Sequence, residues 1–288
     1  MSRQGGSVKE KLKSYKRTPG SFIVMLLVLI AAIITFAALL FLIAYILVNG
    51  VPYLKPSLFS FTYTSDNASL MPALINTLIM TALSLLIAVP LGIFSAIYLV
   101  EYAKRGNKFV EIIRLTTETL QGIPSIVYGL FGMLFFVTFC HWGFSILAGA
   151  FTLSIMVLPL IMRSTEEALK SVPDSYREGS FGLGAGKLRT VFRIVLPSAV
   201  PGILAGVILA VGRIVGETAA LIYTAGTLAK MPKNVMSSGR TLAVHMYNLA
   251  SEGLYMDQAY ATAVILLILV IAINALSSFI AKKITKAQ

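Results

Sequence analysis

Residues 212–224, GRIVGETAALIYT, place Arg213 and Glu217 four positions apart in a run otherwise apolar enough to cross a membrane. One arginine at the centre of a membrane helix costs about 2.5–3.5 kcal/mol on insertion scales, so the pair belongs in a protein interior or a wet path. Counted from Pro201, Arg213 falls about 18 Å along the helix, between the middle and the outer half of a bilayer. Four-residue spacing puts both side chains on one helical face and makes them each other's expected partners. Two chemistries follow. In the first, the charges neutralise each other and lock the helix among its neighbours, with Gly202-x-x-x-Gly206 and Gly212-x-x-x-Gly216 as small packing surfaces. In the second, Arg213 offers its five-donor fork to a passing oxyanion, while Glu217 orients the fork and limits how tightly the anion is held. Thr218 joins them as a candidate pathway residue.

Other residues with chemical potential are isolated. Cys140 is the sole cysteine, which excludes an intrachain disulfide. His141 and His245 lie far apart and lack a Cys/His/carboxylate cluster of ligand spacing, so no metal site is expected. The stretch GLGAGKL, residues 182–188, superficially resembles a phosphate-binding loop. The pattern, however, requires glycine where Phe181 stands and Ser or Thr where Leu188 stands, and no buried strand precedes it. The chain is not expected to hydrolyse ATP itself, and with no nucleophile–base pair a membrane enzyme is disfavoured.

The elements that position these residues follow from composition. The 288 residues are 57% hydrophobic and 12% charged, against about 25% charged in an ordinary soluble domain. An all-α polytopic membrane protein is implied. Crossing a bilayer core takes about 20 helical residues, and six runs qualify: 22–48, 72–100, 121–140, 143–162, 195–225 and 258–281. The first is too long for the apolar core of a cleavable signal peptide and reads as a retained helix. Of the Lys and Arg residues, six precede Phe22 (Arg3, Lys9, Lys11, Lys13, Lys16, Arg17), and four, six and three lie on the loops and tail of the same side. The opposite loops carry Lys55, Lys230, Lys233 and Arg240. That asymmetry puts both termini in the cytoplasm, and it reads the net charge of +12 as a topology signal rather than as nucleic-acid binding.

The expected organisation is a basic cytoplasmic tail (1–21), a first span (22–49) and a core (70–281). The core has a cytoplasmic loop at 163–194 and an outward loop at 226–257, the latter long enough for a short helix at the mouth. Residues 49–71 read as an outward loop and 101–120 as a cytoplasmic helix-turn-helix. The 163–203 stretch predicts two short helices, around 166–170 and 174–181, separated by Pro173, with Asp174 and Ser175 suited to capping the second. Gly122, Gly129 and Gly132 around Pro124 predict a kinked, closely packed third span.

Within that loop, Glu178, then Gly184, nine residues, and Ile194-x-Leu196-Pro197 resemble the cytoplasmic signature of permeases in ATP-binding-cassette importers. The signature opens with Glu-Ala-Ala; here the triplet is Glu178-Gly179-Ser180, which departs at both alanines. The resemblance implies a type I (MetI-like) importer core. It also implies a coupling helix over about 172–187 that docks on an ATPase subunit, with Asp174, Arg177, Glu178 and Gly184 as docking residues. The segments GVILAVGR, GETAALIYTAG and GIPSIVYGLFG further resemble the permeases of the phosphate-specific importer, PstA type more than PstC, although Ala220 stands where proline is frequent. That family implies a PstC-type permease partner, two PstB-type ATPase subunits that bind the ATP and Mg, and an external phosphate-binding protein. This chain would carry no cofactor of its own and would sit in the plasma membrane of a prokaryote, surrounded by lipid. Other tetrahedral oxyanions (sulfate, molybdate, tungstate) and a secondary anion transporter are the alternative readings.

Overall fold

The computed structural model describes residues 19–104 and 106–286, and the basic residues of the expected tail lie outside them. Helix α1, Pro19–Gly50, is nearly all of what is described of a first compact unit that ends at Asn49. Its 32 residues carry no charge between Phe22 and Val48, and its most apolar stretch has a mean hydropathy of 3.2. A helix apolar on every face suits lipid.

The second unit begins with two short 3-10 turns, Val51–Tyr53 and Pro56–Phe59, each with a proline at its first or second position, where the missing N–H is no loss. Helix α2, Met71–Ile97, runs into a π-helical turn, Tyr98–Tyr102, to make one 32-residue rod. Helix α3, Lys108–Gln121, starts where Asn107 Oδ1 accepts from Phe109 N–H at 3.0 Å. Helix α4, Ser125–Gly132, continues through a π-helical turn, Met133–Phe139. Between α3 and α4 the chain bends by 104°. Pro124 causes the break, because the residue before a proline is pushed out of the helical region. The third span, expected at 121–140, is therefore the shorter run 125–139, about 22 Å long, and crosses only as part of a bent pair.

Helix α5, Ile146–Lys170, starts at Ser145, whose Oγ accepts from Ala148 N–H at 3.2 Å. It merges the expected fourth span with the predicted short helix at 166–170. Nothing between them breaks the backbone, and the pairs Arg163–Glu167 (3.1 Å) and Glu166–Lys170 (2.6 Å) support its polar end. Helix α6, Asp174–Gly182, follows. Helix α7, Lys187–Thr190, a π-helical turn, Val191–Val195, and helix α8, Leu196–Val215, form one 29-residue rod. Helices α9 (Ala219–Ile222), α10 (Leu242–Glu252) and α11 (Met256–Lys286) complete the unit. The short helix expected in the 226–257 loop is α10. No strand occurs among the described residues.

Helices α2, α5 and α8 pack side by side, with α11 against α8 and α9 against α4. Met80, Leu153, Met156, Val157 and Ile161 lie fully enclosed between them. Lipid is as apolar as these side chains, so close packing and hydrogen bonds, rather than exclusion of water, hold the spans together. The close packing is visible at glycines. A β-carbon at Gly202 would stand 2.6 Å from Ala168 Cβ, and one at Gly129 2.8 Å from the Ala220 backbone. Hydroxyls add bonds between spans: Ser84 donates to Ala150 O at 3.2 Å, and Ser154 to Ser84 O at 3.1 Å.

Candidate functional site

Helix α8 stops at Val215, inside the run that composition marks as one fifth span (195–225). Its last turn is closed by Gly216 N–H to Gly212 O (3.2 Å) and Glu217 N–H to Ile214 O (3.2 Å). Thr218, at φ −124° and ψ −56°, turns the chain before α9. Glu217 therefore lies beyond the helix and does not share a face with Arg213. Its buried carboxylate accepts the N–H of Ala220 at 3.0 Å, in the first turn of α9. The expected Arg213–Glu217 pair is corrected accordingly. A helix start leaves N–H groups unsatisfied, and a carboxylate three residues upstream is the nearest acceptor.

Arg213 remains in the last turn of α8, half-buried, where the C-terminal end of a helix favours a cation. Among the described residues its guanidinium has neither a carboxylate nor a hydrogen-bond partner. Its flank is open. A β-carbon at Gly212 would meet nothing within 4 Å, and one at Gly216 only the Gly212 carbonyl at 3.5 Å. Among the described residues nothing packs on the flank of Gly212-x-x-x-Gly216, whereas Gly202-x-x-x-Gly206 fits against Ala168 and Ser164 of α5. Thr218 is half-buried beside this opening, its hydroxyl 3.5 Å from Gly216 O.

The other end of the bundle treats its cations differently. Glu166 is shared by Arg114 (2.7 Å) and Lys170 (2.6 Å), and Arg163 faces Glu118 (3.7 Å) and Glu167. A hollow of about 170 Å³ runs between them, but its cations are already matched by carboxylates. An anion gains little in such a place, whereas at Arg213 it meets an uncompensated charge.

The docking residues divide. Asp174 stands in the first turn of α6, not at its cap, which is Pro173 with no side-chain bond. Glu178 and Gly184 are exposed, Gly184 at φ +79°, a left-handed conformation that suits glycine. Tyr176, Phe181 and Leu183 are exposed apolar residues alongside them. Arg177, expected to face the ATPase, instead turns inward. Its Nη2 lies 2.7 Å from Glu101 Oε1 and donates to Leu169 O at 2.9 Å, and its Nη1 donates to Val172 O at 2.8 Å. Ser180, at a signature alanine position, is buried with its Oγ 2.8 Å from Thr190 Oγ1. The departure from Glu-Ala-Ala thus puts a hydrogen bond where the pattern has a methyl group.

In the 226–257 loop Lys230 and Lys233 are exposed, but Arg240, expected among the solvated charges, is only 5% exposed. It stacks over the Tyr63 ring at 4.7 Å, which the sequence reading missed because Tyr63 is so distant in the chain. His245 is fully buried beside it, with Tyr63 edge-on at 6.1 Å. Burial first, and then the Arg240 charge, push its pKa down to about 3. The Ala68 backbone acts in the opposite sense, but neither ring nitrogen completes a hydrogen bond, so burial prevails.

Residues 88–287 match the family described as binding-protein-dependent transport system inner membrane component. Over 282 residues the chain is 37% identical to the probable ABC transporter permease protein YqgI of Bacillus subtilis, covering 89% of this chain and 94% of that one. Over 211 residues it is 36% identical to the phosphate transport system permease protein PstA of Mycobacterium leprae, covering 70% and 67%. Among solved structures, a bacterial alginate ABC transporter chain aligns over 94% of this chain and 98% of its own, with a TM-score of 0.68 at 16% identity. A chain of the MetNI methionine ABC transporter aligns over 75% and 94%, with a TM-score of 0.58 at 21% identity. At those identities the likeness is one of fold. The chain belongs to the binding-protein-dependent transport system inner membrane component family, as a multi-pass helical permease with the fold of ABC importer subunits.

Proposed function

We infer that this chain is the transmembrane permease subunit of an ATP-driven importer that moves inorganic phosphate into a prokaryotic cell. The observation that carries the reading is Arg213: a half-buried guanidinium in a span, unpaired among the described residues and with an open flank at Gly212 and Gly216. A planar fork of donors matches a tetrahedral oxyanion, and its single positive charge holds the anion weakly enough to let it leave. Phosphate, rather than another oxyanion, is favoured by the names of the PstA relatives.

In this reading 163–194 is the cytoplasmic docking loop and 226–257 faces outward, as the Lys and Arg asymmetry requires. Glu178, Gly184 and the exposed Tyr176 and Phe181 meet one of two PstB-type ATPase subunits, which bind the ATP and Mg. A PstC-type permease completes the membrane pair, and an external phosphate-binding protein delivers substrate. In a Gram-negative cell the location is the inner membrane.

The test is uptake of labelled phosphate by vesicles containing the whole complex and the loaded receptor, with sulfate, molybdate and tungstate as competitors. ATP-dependent phosphate uptake that excess sulfate leaves unchanged is the expected result. Transport of one of the competitors in place of phosphate would reassign the substrate.

A further inference from the structure

The docking helix carries an arginine that has no free donors to offer a partner protein. Arg177 Nε lies 3.2 Å from Glu101 Oε1 and Nη2 lies 2.7 Å from the same oxygen. Nη2 also donates to Leu169 O, and Nη1 to Val172 O and to Asp174 Oδ1 at 3.2 Å. Its side chain is 15% exposed and that of Glu101 only 8%, whereas Asp174 is 77% exposed. The pair is enclosed, with Asp174 as an outer arm.

We propose that Arg177 and Glu101 form a clamp that transmits movement of the docking helix to the spans, with Arg177 a positioning residue for coupled transport. This deepens the importer reading and rests on it. Glu101 belongs to the π-helical turn that ends the α2 rod, Leu169 lies in the last turn of α5, and Val172 sits in the short link between α5 and α6. One guanidinium therefore ties α6 to two spans, and it suits the C-terminal end of α5 electrostatically. The far end of α6 is held by the buried Ser180–Thr190 contact to α7, the start of the α8 rod. Because α2 packs on α5 and α5 on α8, a push on α6 reaches the helix that carries Arg213 through packed contacts. Lysine cannot replace this arrangement, since a single ammonium does not span a carboxylate and two carbonyls in the geometry of a planar fork.

The complete complex, reconstituted in vesicles with loaded receptor, tests the clamp through phosphate moved per ATP hydrolysed. Arg177→Gln and Glu101→Gln are expected to keep the full complement of ATPase subunits and to hydrolyse ATP, yet to deliver about tenfold less phosphate per ATP. Arg177→Lys should fall between them and the parent. Parental coupling in both glutamine variants would overturn the clamp. So would loss of ATPase subunits in proportion to uptake, because Arg177 would then be a docking contact. Nitroxides at Ser175→Cys and Lys104→Cys, in a Cys140→Ser background, read the clamp without transport. A narrow distance distribution that broadens in the glutamine variants is expected, and an unchanged one contradicts the clamp. A parent complex that moves no phosphate while the distances respond would sink the substrate assignment and leave the clamp standing.

Discussion

At the residue scale, Arg213 and Glu217 separate into two roles that their spacing alone joins. Four positions imply a shared face only while the helix continues, and it ends at Val215. Glu217 serves a backbone N–H, so an acceptor oxygen rather than a partner cation is what this contact uses. Glu217→Gln keeps an acceptor oxygen and should leave the thermal stability of the purified complex within about 0.5 kcal/mol, whereas Glu217→Ala should lose about 1 kcal/mol, as the loss of a helix cap does. Equal damage from both would restore the ion pair. His245 supplies a pH dependence of definite sign. Its folded pKa of about 3 lies below the ordinary imidazole value of about 6.5, so protonation favours the unfolded state. Stability contributed by neutral His245 is full above about pH 6.5 and falls by up to about 1.4 kcal/mol per unit as pH drops toward 3. Thermal unfolding at stepped pH should show this loss in the parent and a flatter profile in His245→Gln.

At the element scale, the docking loop works because α6 is short, held at both ends and followed by a tight turn. Gly184 adopts φ +79°, so Gly184→Ala should cost about 1–2 kcal/mol in that turn and lower phosphate moved per ATP, with assembly checked by subunit stoichiometry. Ser180→Ala restores the signature residue and removes one buried hydrogen bond. Thr190 Oγ1 keeps its bond to Gly186 O, so the loss should stay near or below about 1 kcal/mol by thermal unfolding. Much of this region was legible in the sequence. The signature is a matter of local spacing, Pro173 marks the start of α6, and the glycines mark its end. The inward turn of Arg177 was not legible, because Glu101 lies 76 residues away and nothing local announces the contact. The breaks at 122–124 and 216–218 were half legible. Gly122, Pro124 and Gly216 stand in the sequence, but an apolar run registers as one span whether or not its helix is continuous.

At the scale of the whole molecule, composition sufficed for an all-helical membrane protein, since the five apolar helices and one bent pair among the described residues are what an excess of uncharged apolar residues produces. Orientation rests on the Lys and Arg distribution. Impermeant thiol reagents should label single cysteines at Lys233 from outside intact cells, and at Ser175 only after the membrane is opened; the reverse pattern would invert the topology. The central claim is that an anion passes Arg213. Its most direct measurement is labelled phosphate uptake by the reconstituted complex carrying Arg213→Gln, with Arg213→Lys in parallel and subunit assembly verified. The account predicts that Arg213→Gln, fully assembled, loses at least about tenfold in uptake while Arg213→Lys retains part of it, as expected when a charge-assisted contact to the substrate is removed or weakened. Parental uptake by an assembled Arg213→Gln complex would contradict it and leave Arg213 a structural residue.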